Sequence, residues 1–136
     1  MQRTTEDIIR QAGLRATTQR KTIVQGIEVL GCASPRDIET WIAKHGVSIN
    51  TVTVYRVLEA LERVKLLHRL RDGRVSLCSM PDTHGHHAML HCTQCDAVTE
   101  FHDERICKSV GAHAKSSGFS VEAHNTEILG VCTQCA

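Results

Sequence analysis

Two C-x-x-C pairs constrain this 136-residue chain more than any other feature of its sequence. The first pair is Cys92 and Cys95, and the second is Cys132 and Cys135. Two such pairs separated by a segment of this length are typical of a closed tetrahedral site in which four thiolates hold one zinc ion. We therefore expect the intervening residues to fold so that both pairs meet around a structural zinc.

The cysteine count and the hydropathy favour metal ligation over disulfide formation. Seven cysteines are an odd number, so they do not complete a disulfide framework. No run of apolar residues reaches the length of a membrane span, and the N-terminus lacks the apolar core of a signal peptide. The sequence thus predicts a cytoplasmic protein that does not enter a membrane, in a compartment where disulfides are rare.

The charges are distributed unevenly, although the net charge is only +1. Residues 1–82 hold 13 Lys and Arg against 9 Asp and Glu, whereas residues 83–136 hold 3 against 6. A nucleic-acid surface, if present, is therefore expected in the N-terminal half.

The N-terminal half has the helix and turn signals of a winged helix-turn-helix domain, which we expect over residues 1–80. Apolar spacing and caps predict four helices, the last two beginning after Ser34 and at Asn50 or Thr51, and Cys32 is expected to be a buried helix-end residue. Alternating strands then flank Asp72-Gly73, a strong hairpin signal. A hinge is expected over residues 81–86, followed by a small α/β domain over residues 87–136, so the fold class is α+β.

The fourth helix is expected to enter the major groove of double-stranded DNA, where exposed side chains meet base edges. Arg56 can pair with guanine, and Tyr55 with a thymine methyl or a phosphate. Thr51 and Thr53 belong to the same outer face. Phosphate contacts, which position a protein without specifying sequence, are expected from Arg15, Gln19 and Arg20 and from the hairpin residues Arg69, Arg71 and Arg74. The alternative is that these arginines are ordinary solvated charges.

Several motifs together resemble the ferric uptake regulator family, and most closely its zinc uptake regulator branch. They are Gly-Leu-Arg-Ala-Thr-Thr-Gln-Arg20, Thr51-Val-Thr-Val-Tyr-Arg-Val-Leu58, the histidines near residue 85, and both Cys pairs, in family order over nearly the whole chain. The resemblance implies a homodimeric, metal-responsive repressor of palindromic operators. Its N-terminal winged helix is followed by a dimerisation domain, and it has neither enzymatic activity nor a small organic substrate.

The resemblance also implies a sensor site between the two domains. Its ligands would be His68, Cys78, Glu100 and one histidine near the hinge, for which His86 is the first choice, His87 the second and His84 a further candidate. If Asp72-Gly73 forms the turn, His68 and Cys78 lie nearly opposite each other on paired strands. A thiolate with imidazoles and one carboxylate favours zinc, whereas iron and manganese favour harder ligands.

A third metal site would involve His87, Cys107 and His124, with Cys107 at the place where the family has an acidic residue. The expected cofactor is therefore zinc, about two ions per chain, with a third if this site forms. No role is assigned to His45, His91 or His113.

Two alternatives to a zinc-responsive repressor are open. The first keeps the family but makes the signal iron, manganese or peroxide. The second is a zinc hydrolase of the nucleobase-deaminase type, because His102-Asp-Glu104 and Cys132-x-x-Cys135 partly match its signature. Val131 replaces the proline of that signature, and Cys92 and Cys95 would have no role in such an enzyme. An enzyme is therefore not expected.

Overall fold

The computed structural model of the chain describes residues 3–79 and 86–136. Two compact units divide between Cys78 and Ser79. Residues 81–85 of the expected hinge, which include His84, lie outside the described residues. His86 is already the first residue of a strand.

The first unit contains four helices and three short strands. In chain order they are α1 (Thr5–Gln11), α2 (Thr18–Leu30), β1 (Cys32–Ala33), α3 (Pro35–Lys44), α4 (Thr51–Arg63), β2 (Leu67–Arg69) and β3 (Val75–Leu77). This order of helices and hairpin is the predicted winged helix-turn-helix.

The helices begin where the sequence predicts caps. Thr17 and Asn50 accept hydrogen bonds from the first turns of α2 and α4. Ser34 and Asp37 form a reciprocal capping box at α3, in which Ser34 N donates to Asp37 Oδ2 at 2.9 Å and Asp37 N donates to Ser34 Oγ at 3.1 Å. These contacts satisfy N–H groups that have no partner within the helix.

One continuous apolar core holds the first unit together. It combines the inward faces of the four helices with the hairpin, and its fully buried members include Ile9, Ile23, Ile27, Ile38, Val54, Leu58, Leu61 and Val75. The core fixes the inner face of α4, so the opposite face of that helix is directed to solvent.

Strand β1 has no signal in the local sequence, and it changes the assignment of Cys32. The sheet order is β1-β3-β2, and Cys32 pairs with Ser76 of β3. Cys32 is therefore a half-buried strand residue and not a buried helix-end residue. Two residues are too few to produce a period-2 pattern, so only the partner strand could define β1.

The hairpin turn is one residue longer than the Asp72-Gly73 signal suggests. Leu70 N donates to Arg74 O at 2.7 Å, which leaves residues 71–73 as a three-residue loop. Gly73 has a φ of 90°, the left-handed conformation that this kind of loop requires at its last position. The longer loop decides the register of β2 against β3.

The second unit is a three-stranded sheet with one helix. Its elements are β4 (His86–Cys92), β5 (Val98–Phe101), α5 (Glu104–Ser116) and β6 (His124–Gly130). The sheet order is β5-β4-β6, with β5 antiparallel and β6 parallel to β4. Its buried apolar residues among those described are few, namely Ala88, Met89 and Cys92, and α5 buries none. Apolar burial alone thus gives this unit little stability.

The longest helices in the described part of the chain have 13 residues, and none of the described helices is long and apolar enough to cross a membrane.

Candidate metal centre

The four cysteines of the two C-x-x-C pairs come together at one end of the second unit. Cys92 ends β4 and Cys132 follows β6, so the parallel pairing of these strands brings the two pairs side by side. The four sulfurs lie within 4.8 Å of one another, and Cys95 Sγ is 3.8 Å from Cys132 Sγ. Tetrahedral zinc with Zn–S bonds of about 2.3 Å places its sulfurs about 3.8 Å apart. The donor set and the spacing therefore fit a zinc ion.

Backbone hydrogen bonds prepare Cys92 to act as a thiolate. The N–H groups of Cys132, Cys95 and Gln94 are directed at its sulfur and lower its pKa to about 6. The neighbouring thiols of Cys132 and Cys95 instead raise the pKa of Cys135 to about 12. Four thiols at this distance cannot all ionise without a cation between them, so the geometry requires a metal for the fully deprotonated state.

His91 has a supporting position beside this centre that the sequence does not reveal. It is 5% exposed, and its Nδ1 and Nε2 each lie 3.2 Å from a carboxylate oxygen, of Glu127 on β6 and of Asp96 respectively. Asp96 has a φ of 63° and donates its N–H to Cys92 O at 3.0 Å. His91 thus links the sheet to the loop after β4 that carries Cys95. Because Glu127 is distant in sequence, no local pattern predicts this arrangement.

His68 and Cys78 form a pair of ligands within the first unit. His68 is opposite Ser76, and Cys78, two residues further, donates its N–H to Leu66 O at 2.8 Å. Because residues two apart on a strand share a face, Cys78 lies on the same face as Ser76 and its partner His68. Their ligand atoms are within 4.8 Å of each other.

His87 and Glu100 form a corresponding pair within the second unit. Glu100 is opposite Met89 in the β4–β5 ladder, and His87 precedes Met89 by two, so both side chains belong to one face of the sheet. Their ligand atoms lie within 4.8 Å of each other, and His87 is 1% exposed. His86 points to the opposite face. The first choice of His86 as the histidine beside Glu100 is thus corrected to His87.

His86 instead joins Cys107 and His124 in a third cluster. His86 and His124 are register partners in the parallel β4–β6 ladder and therefore share a face. His124 Nε2 lies 3.3 Å from Cys107 Sγ on α5, and the three ligand atoms are within 4.8 Å of one another. The expected member His87 is excluded, because strand alternation directs it to the other face of the sheet. Burial, with the nearby charges of His86 and His102, lowers the pKa of His124 and so favours the neutral imidazole that binds metals.

The outer face of α4 presents the residues expected to read DNA. Thr51, Tyr55 and Arg56 are exposed, whereas Thr53 is half-buried and donates its N–H to the cap Asn50. Val52, which the sequence does not single out, is 58% exposed beside them. The strip combines a guanidinium, hydroxyl groups and apolar surface, the functional groups that recognise base edges in a major groove.

The expected phosphate-binding residues differ in their exposure and in the contacts that they already make within the protein. Arg15 and Gln19 are exposed. Arg20 Nη1 donates to Arg15 O at 2.9 Å, which connects the start of α2 to the preceding loop. Arg74 forms a salt bridge with Asp72 at 2.7 Å across the hairpin loop, so part of its charge is already neutralised.

Comparisons with known proteins agree with these features. A curated relative, the ferric uptake regulation protein of Bordetella parapertussis, is 33% identical over 130 residues, covering 93% of this chain and 93% of its own. Among solved structures, holo XcZur matches with a TM-score of 0.84 and 26% identity, covering 96% of this chain and 92% of its own. A zinc uptake regulator complexed with zinc and DNA matches with a TM-score of 0.82 and 26% identity, covering 98% of this chain and 96% of its own.

The profile of the Ferric uptake regulator family matches residues 11–129, which is most of the chain. Together with the winged helix, the metal-ligand clusters and the curated relative, this match shows that the chain belongs to the ferric uptake regulator family.

Proposed function

We propose that this protein is a zinc-responsive transcriptional repressor that binds palindromic operator DNA as a homodimer when a sensor site is loaded with zinc. Membership in a family of regulators makes it a regulator and not an enzyme. Its place of action is the cytoplasm, where the DNA is. Each chain carries one structural zinc at Cys92, Cys95, Cys132 and Cys135 and one regulatory zinc.

The observation that carries the proposal is the existence of two preformed ligand pairs, one in each unit. His68 and Cys78 share a face of the hairpin, and His87 and Glu100 share a face of the second sheet. Each pair supplies half of a tetrahedral set, so neither alone can close the coordination of zinc. We propose that one zinc ion joins them.

Chain connectivity supports this pairing. Glu100 accepts the N–H of Ser79 through its two carboxylate oxygens, at 3.1 and 3.2 Å, and Ser79 is covalently next to Cys78. An ion bound by all four residues would restrict the angle between the DNA-binding unit and the dimerisation unit. In a homodimer that angle sets the distance between the two α4 helices, which must match the spacing of DNA half-sites.

The surface of the second unit supports dimerisation. It leaves several large apolar side chains exposed, namely Leu90, Phe119, Ile128, Leu129 and Val131. Leu90 and Ile128 are register partners, so they form one continuous apolar strip across β4 and β6. Exposed apolar surface of this kind marks protein–protein contacts, and a second copy of the chain is the partner that the family suggests.

Metal specificity follows from the ligands. One thiolate, two imidazoles and one carboxylate suit zinc better than iron or manganese, which prefer oxygen and imidazole donors. A structural match to a zinc uptake regulator complexed with zinc and DNA points the same way. The second candidate is a repressor that senses iron, manganese or peroxide, and the ferric uptake regulation protein of Bordetella parapertussis favours it.

The test is a metal titration of DNA binding. Duplexes would first be selected from a random library with zinc-loaded full-length protein, and the enriched duplex used as the probe. Zinc should strengthen binding of wild type, whereas Cys78→Ala should lose the zinc response while remaining dimeric and keeping the structural zinc. Cys32→Ala is the matched cysteine control and should respond like wild type.

The alternatives give different results in the same titration. Preferential activation by ferrous iron or manganese would establish the second candidate. A full zinc response in Cys78→Ala would show that the sensor ligands are assigned wrongly.

A further inference from the structure

His102 lies beside the third cluster but belongs to none of the metal sites that the family resemblance implies. It follows β5 and precedes α5, and its Nε2 is 3.7 Å from Cys107 Sγ. His86, His102 and Cys107 line one cavity together with Glu104 and Lys108. From this geometry we propose that His102 is the fourth ligand of a zinc site that also contains His86, Cys107 and His124.

The distances from Cys107 fit tetrahedral coordination. The ligand atoms of His86, Cys107 and His124 all lie within 4.8 Å of one another and His102 is outside that group, so its ring would have to turn toward a bound ion. With Zn–S of about 2.3 Å and Zn–N of about 2.0–2.1 Å, sulfur and nitrogen ligands of one tetrahedral ion lie about 3.6 Å apart. The two contacts of Cys107 Sγ, 3.3 Å to His124 Nε2 and 3.7 Å to His102 Nε2, lie on either side of this value. One thiolate is thus placed between two imidazoles at the separation that a shared zinc ion produces.

Two of the histidines have a ring nitrogen that no hydrogen bond satisfies. The Nδ1 atoms of His86 and His124 are buried and have no hydrogen-bond partner among residues 3–79 and 86–136. Buried polar atoms without partners cost free energy. A metal ion bound at Nδ1 would satisfy His86, whereas His124 approaches Cys107 through Nε2, so its own Nδ1 is not the atom that binds this ion. The two rings also meet edge to face, with centroids 5.1 Å apart, at the end of the sheet where β4 and β6 begin.

The ligand types of this site differ from the family pattern. The family pattern has an acidic residue at the position of Cys107, which would give a harder site. A thiolate with three imidazoles instead selects zinc or other thiophilic ions over iron, manganese and magnesium. Four protein ligands also leave no open position for substrate or signal, and closed zinc sites of this kind are structural.

The location gives such a site a structural purpose. Helix α5 buries no residue of its own, and the second unit has few buried apolar side chains among those described. A zinc ion bound by Cys107 of α5, His102 before it and His86 and His124 of the sheet would fasten the helix to the strands. The site would therefore remain filled whether or not the sensor holds zinc.

The experiment measures zinc per chain in the full-length protein without its sensor, so its outcome is separate from that of the regulatory proposal. After removal of weakly held metal, Cys78→Ala should retain two zinc ions, and Cys78→Ala/Cys107→Ala one. His102→Ala in the same background should weaken the second ion at least tenfold in competition with a chelator. The control His113→Ala removes an exposed histidine of the same helix and should change nothing.

Cobalt substitution gives a readout that does not depend on stability. The cobalt-loaded Cys78→Ala protein should lose part of its thiolate-to-cobalt absorption when Cys107 is replaced by Ser. His102→Ala should alter the tetrahedral ligand-field bands without that loss. One zinc per chain in Cys78→Ala would overturn the site, and a His102→Ala protein with unchanged zinc affinity and cobalt spectrum would overturn the role of His102.

Discussion

His68 and Cys78 lie on the same face of the β2–β3 hairpin because the turn contains three residues. Leu70 pairs with Arg74 across that loop, and the resulting register places His68 opposite Ser76. A two-residue turn at Asp72-Gly73 would place His68 opposite Leu77 instead and direct Cys78 to the other face. One loop residue thus determines whether the wing can offer an imidazole and a thiolate to the same ion.

The neighbouring histidines His86 and His87 should have separable functions. His87→Ala removes a ligand from the face that carries Glu100, so zinc-stimulated DNA binding should weaken by more than the roughly 10–100-fold typical of losing an outer-shell partner. His86→Ala should weaken that response much less, because its side chain is on the opposite face with His124 and belongs to the proposed structural site and not to the sensor. Fluorescence anisotropy of labelled operator over a zinc titration measures both. Equal loss in the two variants would contradict the assignment by faces.

Loss of the four-cysteine site should unfold the second unit and spare the first. A structural zinc contributes on the order of 10 kcal/mol, which is comparable to the whole stability of a small domain. Cys132→Ser should therefore expose β4 and β6 to proteases, whereas the helices of the first unit keep their own apolar core. Limited proteolysis followed by mass spectrometry locates the cuts, with Cys32→Ser as the cysteine control. Protection of residues 86–136 in Cys132→Ser would refute this.

Arg56 should contribute to DNA recognition through base contact. Its side chain is exposed on α4, and loss of one bidentate arginine contact costs about 1–3 kcal/mol, or roughly 5–150-fold in affinity. Arg56→Ala should show that loss on the selected operator and little change on unrelated duplex DNA. Arg63→Ala, at the last residue of the same helix, is the matched charge control. A similar loss from both variants on all duplexes would indicate a general charge effect.

The capping box of α3 should make a small, pH-dependent contribution to stability. Hydrogen bonds from the backbone and hydroxyl of Ser34, with smaller effects of Arg74 and Arg36, hold the pKa of Asp37 below its usual 3.8. Because the folded-state pKa is lowered, this contribution is present above about pH 4 and is lost as the pH falls through the folded-state pKa.

Asp37→Asn should accordingly lower the free energy of unfolding by about 0.5–1 kcal/mol at pH 6, the typical size of a capping effect, and have little effect at pH 2. Urea unfolding at both pH values measures this, with Glu59→Gln on the exposed face of α4 as the control. A deficit in Asp37→Asn that persisted at pH 2 would contradict the ionisation argument.

Local signals predict most of the elements and most members of each ligand set. Ser34-Pro35 and Asn50 begin helices because their side chains satisfy free N–H groups within four residues. Because these signals act only between residues close in sequence, they do not predict features that depend on distant residues. Strand β1 is too short to carry a pattern of its own, and the contacts of His91 with Glu127 and Asp96 depend on residues that are distant in sequence or held in an unusual conformation.

The order of the amino acids is sufficient to identify most of the residues that can bind metal, the starts of the helices and the four thiolates that the two C-x-x-C pairs bring to one site. Which of the remaining ligands meet depends on the three-dimensional fold. His86 and His87 are adjacent in sequence and chemically identical, and they separate because strand side chains alternate between faces, so that His86 joins His124 and His87 joins Glu100. Strand register is set by loop length and by pairing between distant segments, and a single-residue change in register exchanges the two faces.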